Sequence, residues 1–342
     1  AGAAVGKLDA AQDHLAGVVE PVIAEDFRGR MALRHVEHRG DLALLGALAL
    51  SACTNASEKA PSGAAPSVSG SAAASFDPST VQKDDALAAM VPESIKSKGT
   101  LTVGSDTTYA PAEFLGTDGQ TPVGYDVDIA KAIGATLGLK VQVQTSEFTG
   151  ILPALGPKYD LGISSFTINP ERLGAVNMVS YFNAGTAWAV QKGNPKKVSL
   201  DDLCGKSVGV QTGTVQEDPD LSGRSKKCVA DGKPAINVVT LKNQTDITTR
   251  LVNGSVDAMA ADSPITGYAI TQTNGQIEKI GDVYDSAPQG IAVAKSDMAL
   301  AEVVQKTVSK LMENGSYKKI LEGWGNADGA ITKSEVNPAV GS

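Results

Sequence analysis

With 342 residues, 42% of them hydrophobic and only 4% aromatic, and a formal charge of −8, the chain is long enough for two domains with real cores. The absence of any Lys/Arg-rich run, and the scarcity of aromatics, argue against a nucleic-acid partner. All three histidines (His14, His35, His38) precede residue 53, so Ser-His-Asp and Cys-His catalysis and His-ligated zinc are excluded from the main body; no cofactor or metal is expected.

Residues 1–30 are rich in alanine and acids and suggest no function. An apolar run over 42–52 ends in Leu50-Ser51-Ala52-Cys53. It is too short to span a bilayer but suits the core of a signal peptide. Leu-Ser-Ala-Cys resembles the lipobox of bacterial lipoproteins, which implies a lipidated Cys53 at the mature N-terminus; a short buried helix with an incidental cysteine is the alternative. Glu37 and Asp41 offset Arg34 and Arg39 ahead of the run, and 30 residues precede Met31, so a true start at Met31 is expected. Residues 1–52 are thus read as an upstream segment plus signal peptide. Residues 53–85 are read as the lipidated cysteine and a flexible Ala/Ser/Pro/Gly tether.

From residue 86 strands and helices alternate. Residues 101–104 read as a strand, 105–111 as a turn, 125–137 as a helix stopped by Gly138, and 140–145 as an alternating strand. A short helical piece over 148–155 follows. The stretch Leu161-Gly162-Ile163-Ser164-Ser165-Phe166-Thr167-Ile168-Asn169-Pro170-Glu171-Arg172 then reads as a buried strand, a hydroxyl-bearing turn and a new helix, with Asn169 as N-cap and Pro170 in the first turn. Hydroxyls, amide N–H groups and a guanidinium gathered so closely can hold a small carboxylate. A solvated loop with a surface arginine is the plainer reading.

A similar module returns downstream: a strand over 206–211 ending in Gly213-Thr214, a strand over 236–241, a helix over 246–252, then Asp257-Ala258-Met259-Ala260-Ala261-Asp262. Ligands bind at the carboxyl ends of strands in α/β sheets, so two facing lobes would put Ser164 and Ser165 opposite Asp262 across one cleft. Asp262 could instead cap a helix beginning at Pro264. A strand over 290–294, an amphipathic helix over 299–312 and a last helical turn over 316–324 complete the chain. Cys204 and Cys228 could close a loop of about 24 residues, worth on the order of 3 kcal/mol; in a cytosolic protein they would be free thiols, and export favours the bridge. Gly205-Lys206-Ser207 is not a P-loop, because Leu200 stands where its first glycine belongs.

Residues 90–325 resemble the amino-acid-binding solute receptors of bacterial ABC transporters, in their membrane-tethered form. The resemblance runs through Val103-Gly104-Ser105-Asp106-Thr107-Thr108-Tyr109-Ala110-Pro111, Gly124-Tyr125-Asp126-Val127-Asp128, Asp160 to Ser165, Glu171-Arg172, Val208 to Thr214, Asp257…Asp262 and Gly315-Ser316-Tyr317. It implies a two-lobe α/β fold of the type II periplasmic-binding-protein class, with residues 86–184 and 290–342 in one lobe, 185–289 in the other, and a mixed sheet flanked by helices in each. It implies that Arg172 forks the ligand's α-carboxylate, aided by Thr167 and amides near Thr214. Asp262 would take the α-ammonium with Ser164 and Ser165, and Tyr109 and Phe148 would sandwich the side chain. Asp106 would meet a distal amine, which favours a cationic or amide ligand over glutamate.

Two departures bear on specificity: Ala112 stands where a phenylalanine is common, and Val215 where a threonine is. The expected function is capture of a polar amino acid by lobe closure and delivery to an ABC permease, by a monomer lipid-anchored at the outer face of the cell membrane. A dehydratase of cyclohexadienyl acids on the same scaffold is the alternative; its general acid would come from Asp106, Glu113 or Asp262.

Overall fold

The computed structural model describes residues 76–340; the expected signal segment, Cys53 and the tether up to residue 75 lie outside the described residues. The end of the expected tether is already packed. Phe76 lies against the first core, its N–H facing Asp128 Oδ2 at 3.4 Å, and Val81 is buried. These are apolar anchors that the surrounding Ala/Ser/Pro composition masks.

Helices α1 (Asp85–Met90) and α2 (Glu93–Lys98) lead into strand β1 (Thr100–Ser105) and the small antiparallel sheet of β2 (Thr108–Tyr109), β3 (Glu113–Leu115) and β4 (Pro122–Val123). Helix α3 (Tyr125–Leu137) follows, its N-cap Gly124 at φ 128. A Cβ there would meet the Ala112 carbonyl oxygen at 2.1 Å, so only glycine lets the chain turn at this point. Then come β5 (Lys140–Thr145), α4 (Phe148–Ile151), the two-residue β6 (Leu161–Gly162) and α5 (Pro170–Ala175). Asn169 caps α5, its Oδ1 accepting from Arg172 N at 2.8 Å.

The chain leaves the first half along β7 (Val176–Gln191), a strand buried at all but two positions. Beyond it lie β8 (Ser207–Gln211), α6 (Ser222–Ala230), β9 (Asn237–Leu241), α7 (Gln244–Val252), β10 (Ala258–Asp262) and α8 (Ser263–Gln272). The chain returns along β11 (Ile277–Ala294), of which the sequence reading recovered only the last five residues, and ends in α9 (Met298–Glu313) and α10 (Ser316–Gly323).

The sheet order is β5-β1-β6-β11-β7-β10-β8-β9. The long antiparallel pair β7 and β11 stands in the middle, with a parallel triplet (β5, β1, β6) on one flank and another (β9, β8, with β10) on the other. Register shifts between Ile280 and Gly290 break the central ladder where one half passes into the other. Each half has its own buried core. Leu101, Ile129, Ile133, Val179 and Val304 centre the first; Trp188, Val208, Val210 and Ala258 centre the second.

Candidate functional site

The two repeated modules meet. Ser164 and Ser165 follow β6 in the first half, Arg172 lies in the first turn of α5, Thr214 follows β8 in the second half, and Asp262 ends β10. One pocket is lined by Tyr109, Phe148, Ser164, Ser165, Thr167 and Arg172 from the first half and by Thr214, Val215, Gln216 and Asp262 from the second. Eight of the nine side chains expected from the sequence are therefore gathered at one place. The pocket leaves only about 10 Å³ for solvent centres, room for roughly one water. The halves are closed on each other.

Arg172 crosses the gap. Its guanidinium donates to the Thr167 carbonyl at 2.8 Å and, from the other half, to the Gly213 carbonyl at 3.1 Å. It also lies over the rings of Phe148 and Phe166, at 5.4 and 5.6 Å, and those two rings stack at 4.8 Å. Phe148 is thus as much a seat for Arg172 as a wall of the pocket. Burial pulls the guanidinium below its ordinary value, and the charge of Asp262 pulls it back.

Asp262 occupies the N-cap position of α8, but its side chain makes no capping bond. Its Oδ1 accepts from Gln216 Nε2 at 2.9 Å and its Oδ2 from Gln289 Nε2 at 2.7 Å, while its N–H donates to the Tyr109 hydroxyl across the cleft at 3.2 Å. Burial pushes this carboxyl up to about 6, opposed by Gln216 and by Arg172. The helix-cap alternative is therefore not what the side chain does.

Asp106 is the expected residue that does not line the pocket. It stands one residue behind: Phe148 N and Gln211 Nε2 donate to its Oδ2 at 2.9 and 3.0 Å, and the Thr108 hydroxyl to its Oδ1 at 2.7 Å. Gln211 belongs to the opposite half, so Asp106 ties the halves together. Burial raises its carboxyl above the ordinary range. Lys242 to Glu147 at 2.7 Å and Gln244 N to the Thr108 hydroxyl at 3.2 Å are further cross-cleft contacts.

Gln216, Gln289 and Gln211 were missed by the sequence reading, since an isolated glutamine gives no pattern to read. A larger groove of about 690 Å³ lies between α8 and the chain after α10, with Tyr268, Trp324 and Asp328 in its lining. It has no basic side chain in that lining to pair with a carboxylate.

The comparisons with known proteins agree with this geometry. Residues 101–327 match the family model described as bacterial extracellular solute-binding proteins, family 3. The chain belongs to that family. The arginine-binding protein ArgT of Corynebacterium glutamicum is 34% identical over 253 residues, 73% of this chain and 82% of the relative. Among solved structures, an ancestral arginine-binding protein bound to arginine superposes with a TM-score of 0.60 at 37% identity, covering 66% of this chain and 98% of the other. An ancestral amino acid-binding protein described as a precursor of cyclohexadienyl dehydratase superposes with a TM-score of 0.58 at 32% identity, covering 68% and 98%. The fold is accordingly the two-lobe α/β architecture of extracellular solute receptors, with the pocket at the lobe junction.

Proposed function

We propose that this family 3 solute-binding protein captures a cationic amino acid, with arginine as the leading candidate, and delivers it to an ABC permease without chemical change. One observation carries the reading: Arg172 from one lobe and Asp262 from the other line a single closed pocket, each held by neutral partners and not by the other. A free amino acid carries a carboxylate and an ammonium on one carbon, and a half-buried cation and a buried anion held apart suit both at once. Arg172 forks the carboxylate, with Thr167 and Thr214 beside it; Asp262 receives the ammonium with Ser164 and Ser165; Tyr109 and Phe148 flank the side chain.

Arginine is favoured by the names of the relatives, several of which are arginine-binding proteins. Entry requires the lobes to part, and they then close on the amino acid less tightly than on each other here. That closed, occupied population is what a permease can read. Lipidation of Cys53 would hold the monomer at the outer face of the membrane. No catalysis is assigned: Asp106 is saturated by its own neighbours, Glu113 lies behind the serines, and Asp262 is reserved for the ammonium.

The test is thermal shift and calorimetry of the purified protein against all twenty amino acids, followed by chromatography of the recovered ligand. A saturable shift with arginine returned intact is expected. No shift with any amino acid, or turnover of an arogenate-type acid, would sink the reading.

A further inference from the structure

Behind Ser164 and Ser165 lies a second layer that no ligand could touch. Glu113, on β3, and Asp126, in the first turn of α3, are 0% and 1% exposed, and neither forms a salt bridge among the described residues. The Ser164 hydroxyl donates to Glu113 Oε1 at 2.9 Å and accepts from Asp106 N at 3.0 Å. The Ser165 hydroxyl has Glu113 Oε2 and Asp126 Oδ2 both at 3.4 Å, and its N–H donates to Asp126 Oδ2 at 2.9 Å. The Tyr181 hydroxyl donates to Asp126 Oδ1 at 2.7 Å. Ser165 is held at φ 50, a left-handed conformation that serine adopts only under constraint.

A serine hydroxyl has one proton and two lone pairs. Here both protons are drawn backwards, away from the pocket, so what the two serines can show a ligand is acceptor oxygen alone. We propose, on the reading that the pocket holds an amino acid, that Glu113 is the positioning residue for ammonium recognition: it fixes Ser164 and Ser165 as acceptors beside Asp262. Without it either hydroxyl could rotate and present a proton to the ammonium, which would repel it.

The two carboxyls lie side by side behind the serines, both facing the Ser165 hydroxyl. Burial, then the neighbouring Asp126, pushes Glu113 far above the ordinary carboxyl range, while Asp126 rises to about 6. Glu113 Oε1 accepts from the Ser164 hydroxyl, while its Oε2 and Asp126 Oδ2 converge on the Ser165 hydroxyl. The ionisable groups around the pair are Asp106 and Asp262 and the hydroxyls of Tyr109, Tyr125 and Tyr181. Glu113→Gln keeps the acceptor: its amide oxygen can take the Ser164 proton as Glu113 Oε1 does, and its NH₂ can face Asp126.

The experiment compares L-arginine with 5-guanidinopentanoic acid, which lacks only the α-amino group, by calorimetry on wild type, Glu113→Gln and Glu113→Leu. The expected result is a wild-type preference for arginine that E113Q keeps within about threefold and E113L loses by tenfold or more. Binding of the des-amino acid should stay within threefold throughout, whereas a merely structural role would weaken both compounds together. If E113L does not fold, Glu113→Thr replaces it, being polar but too short to reach both Ser164 and Asp126. A folded E113L or E113T that keeps the wild-type preference overturns the inference alone, as does an E113Q that loses it. A wild type that does not prefer arginine to the des-amino acid removes the proposed function and the inference together.

Discussion

Arg172 and Asp262 line the same pocket from opposite lobes, feel each other's charge, and form no ion pair. Each is held instead by neutral partners: Arg172 by the carbonyls of Thr167 and Gly213, Asp262 by the side-chain amides of Gln216 and Gln289. The separation matters physically. A contact pair between the two would satisfy both charges and leave nothing for a ligand. Held apart by neutral dipoles, they stay pre-oriented and only partly compensated, which is what the proposed zwitterionic ligand requires.

Arg172→Lys is expected to weaken arginine binding by about 30- to 100-fold, on the order of 2–3 kcal/mol. Lysine keeps the charge but loses the fork, the bridge to Gly213 and the seat over Phe148 and Phe166. Calorimetry on both proteins checks this; an unchanged affinity would show that charge alone holds the carboxylate.

Asp262→Asn should abolish binding yet stabilise the ligand-free protein. The folded carboxyl titrates at about 6, above its ordinary value of 3.8, so the folded state binds the proton more tightly than the unfolded chain does. The resulting cost is absent below the ordinary value, grows as pH rises, and is complete above about 6. It amounts to about 3 kcal/mol. The melting temperature of D262N should therefore exceed that of ligand-free wild type by several degrees at pH 7.5, with the gain disappearing by pH 4. The amide can also be received by Gln289 Oε1, a buried acceptor with no partner. In wild type, arginine affinity should fall as pH drops through 6, because the protonated carboxyl cannot balance the ammonium.

What the sequence made legible was chemistry attached to local pattern. Arg172 stands out because Asn169 and Pro170 announce a helix start, and Asp262 because it ends an apolar strand in a repeated frame. The long strands β7 and β11 were hidden for a physical reason. β7 is buried on both faces and shows no alternation, and β11 passes through three register shifts that scramble its period. The glutamines that cradle Asp262, and the carboxyl pair behind the serines, depend on packing between residues 27 to 51 positions apart. No local spacing encodes such contacts. Asp106 was recognised, but its bond to Gln211, 105 positions away, could not have been.

Reducing the Cys204–Cys228 disulfide should lower stability and spare affinity. The bridge closes a segment 24 residues apart within the second lobe, and its loss costs on the order of 3 kcal/mol through the unfolded chain. For a domain of this size that corresponds to a fall in melting temperature of roughly 6–12 °C. Neither cysteine lines the pocket, so the dissociation constant for arginine should move less than threefold. Parallel melts and calorimetry with and without reductant separate the two effects, and a large affinity loss would mean that the bridge shapes the cleft.

Gly213→Ala should leave each lobe intact and obstruct their closure. Gly213 has φ 81, and a Cβ on it would meet Thr149 Cγ2 of the first lobe at 2.5 Å. The collision exists only when the lobes meet, because Thr149 and Gly213 lie in different halves of the chain. The same residue offers the carbonyl that Arg172 grasps across the cleft. Alanine therefore adds a positive-φ penalty of about 1 kcal/mol to the lobe itself and a steric penalty to the closed state alone. Far-UV circular dichroism should match wild type, while arginine affinity falls at least tenfold and small-angle scattering with saturating arginine shows a larger radius of gyration than wild type. Serine at the same position should behave like alanine. Restoring affinity by shortening the opposing side chain, in the double variant with Thr149→Gly, would identify closure, rather than the turn's own conformation, as the step that Gly213 permits.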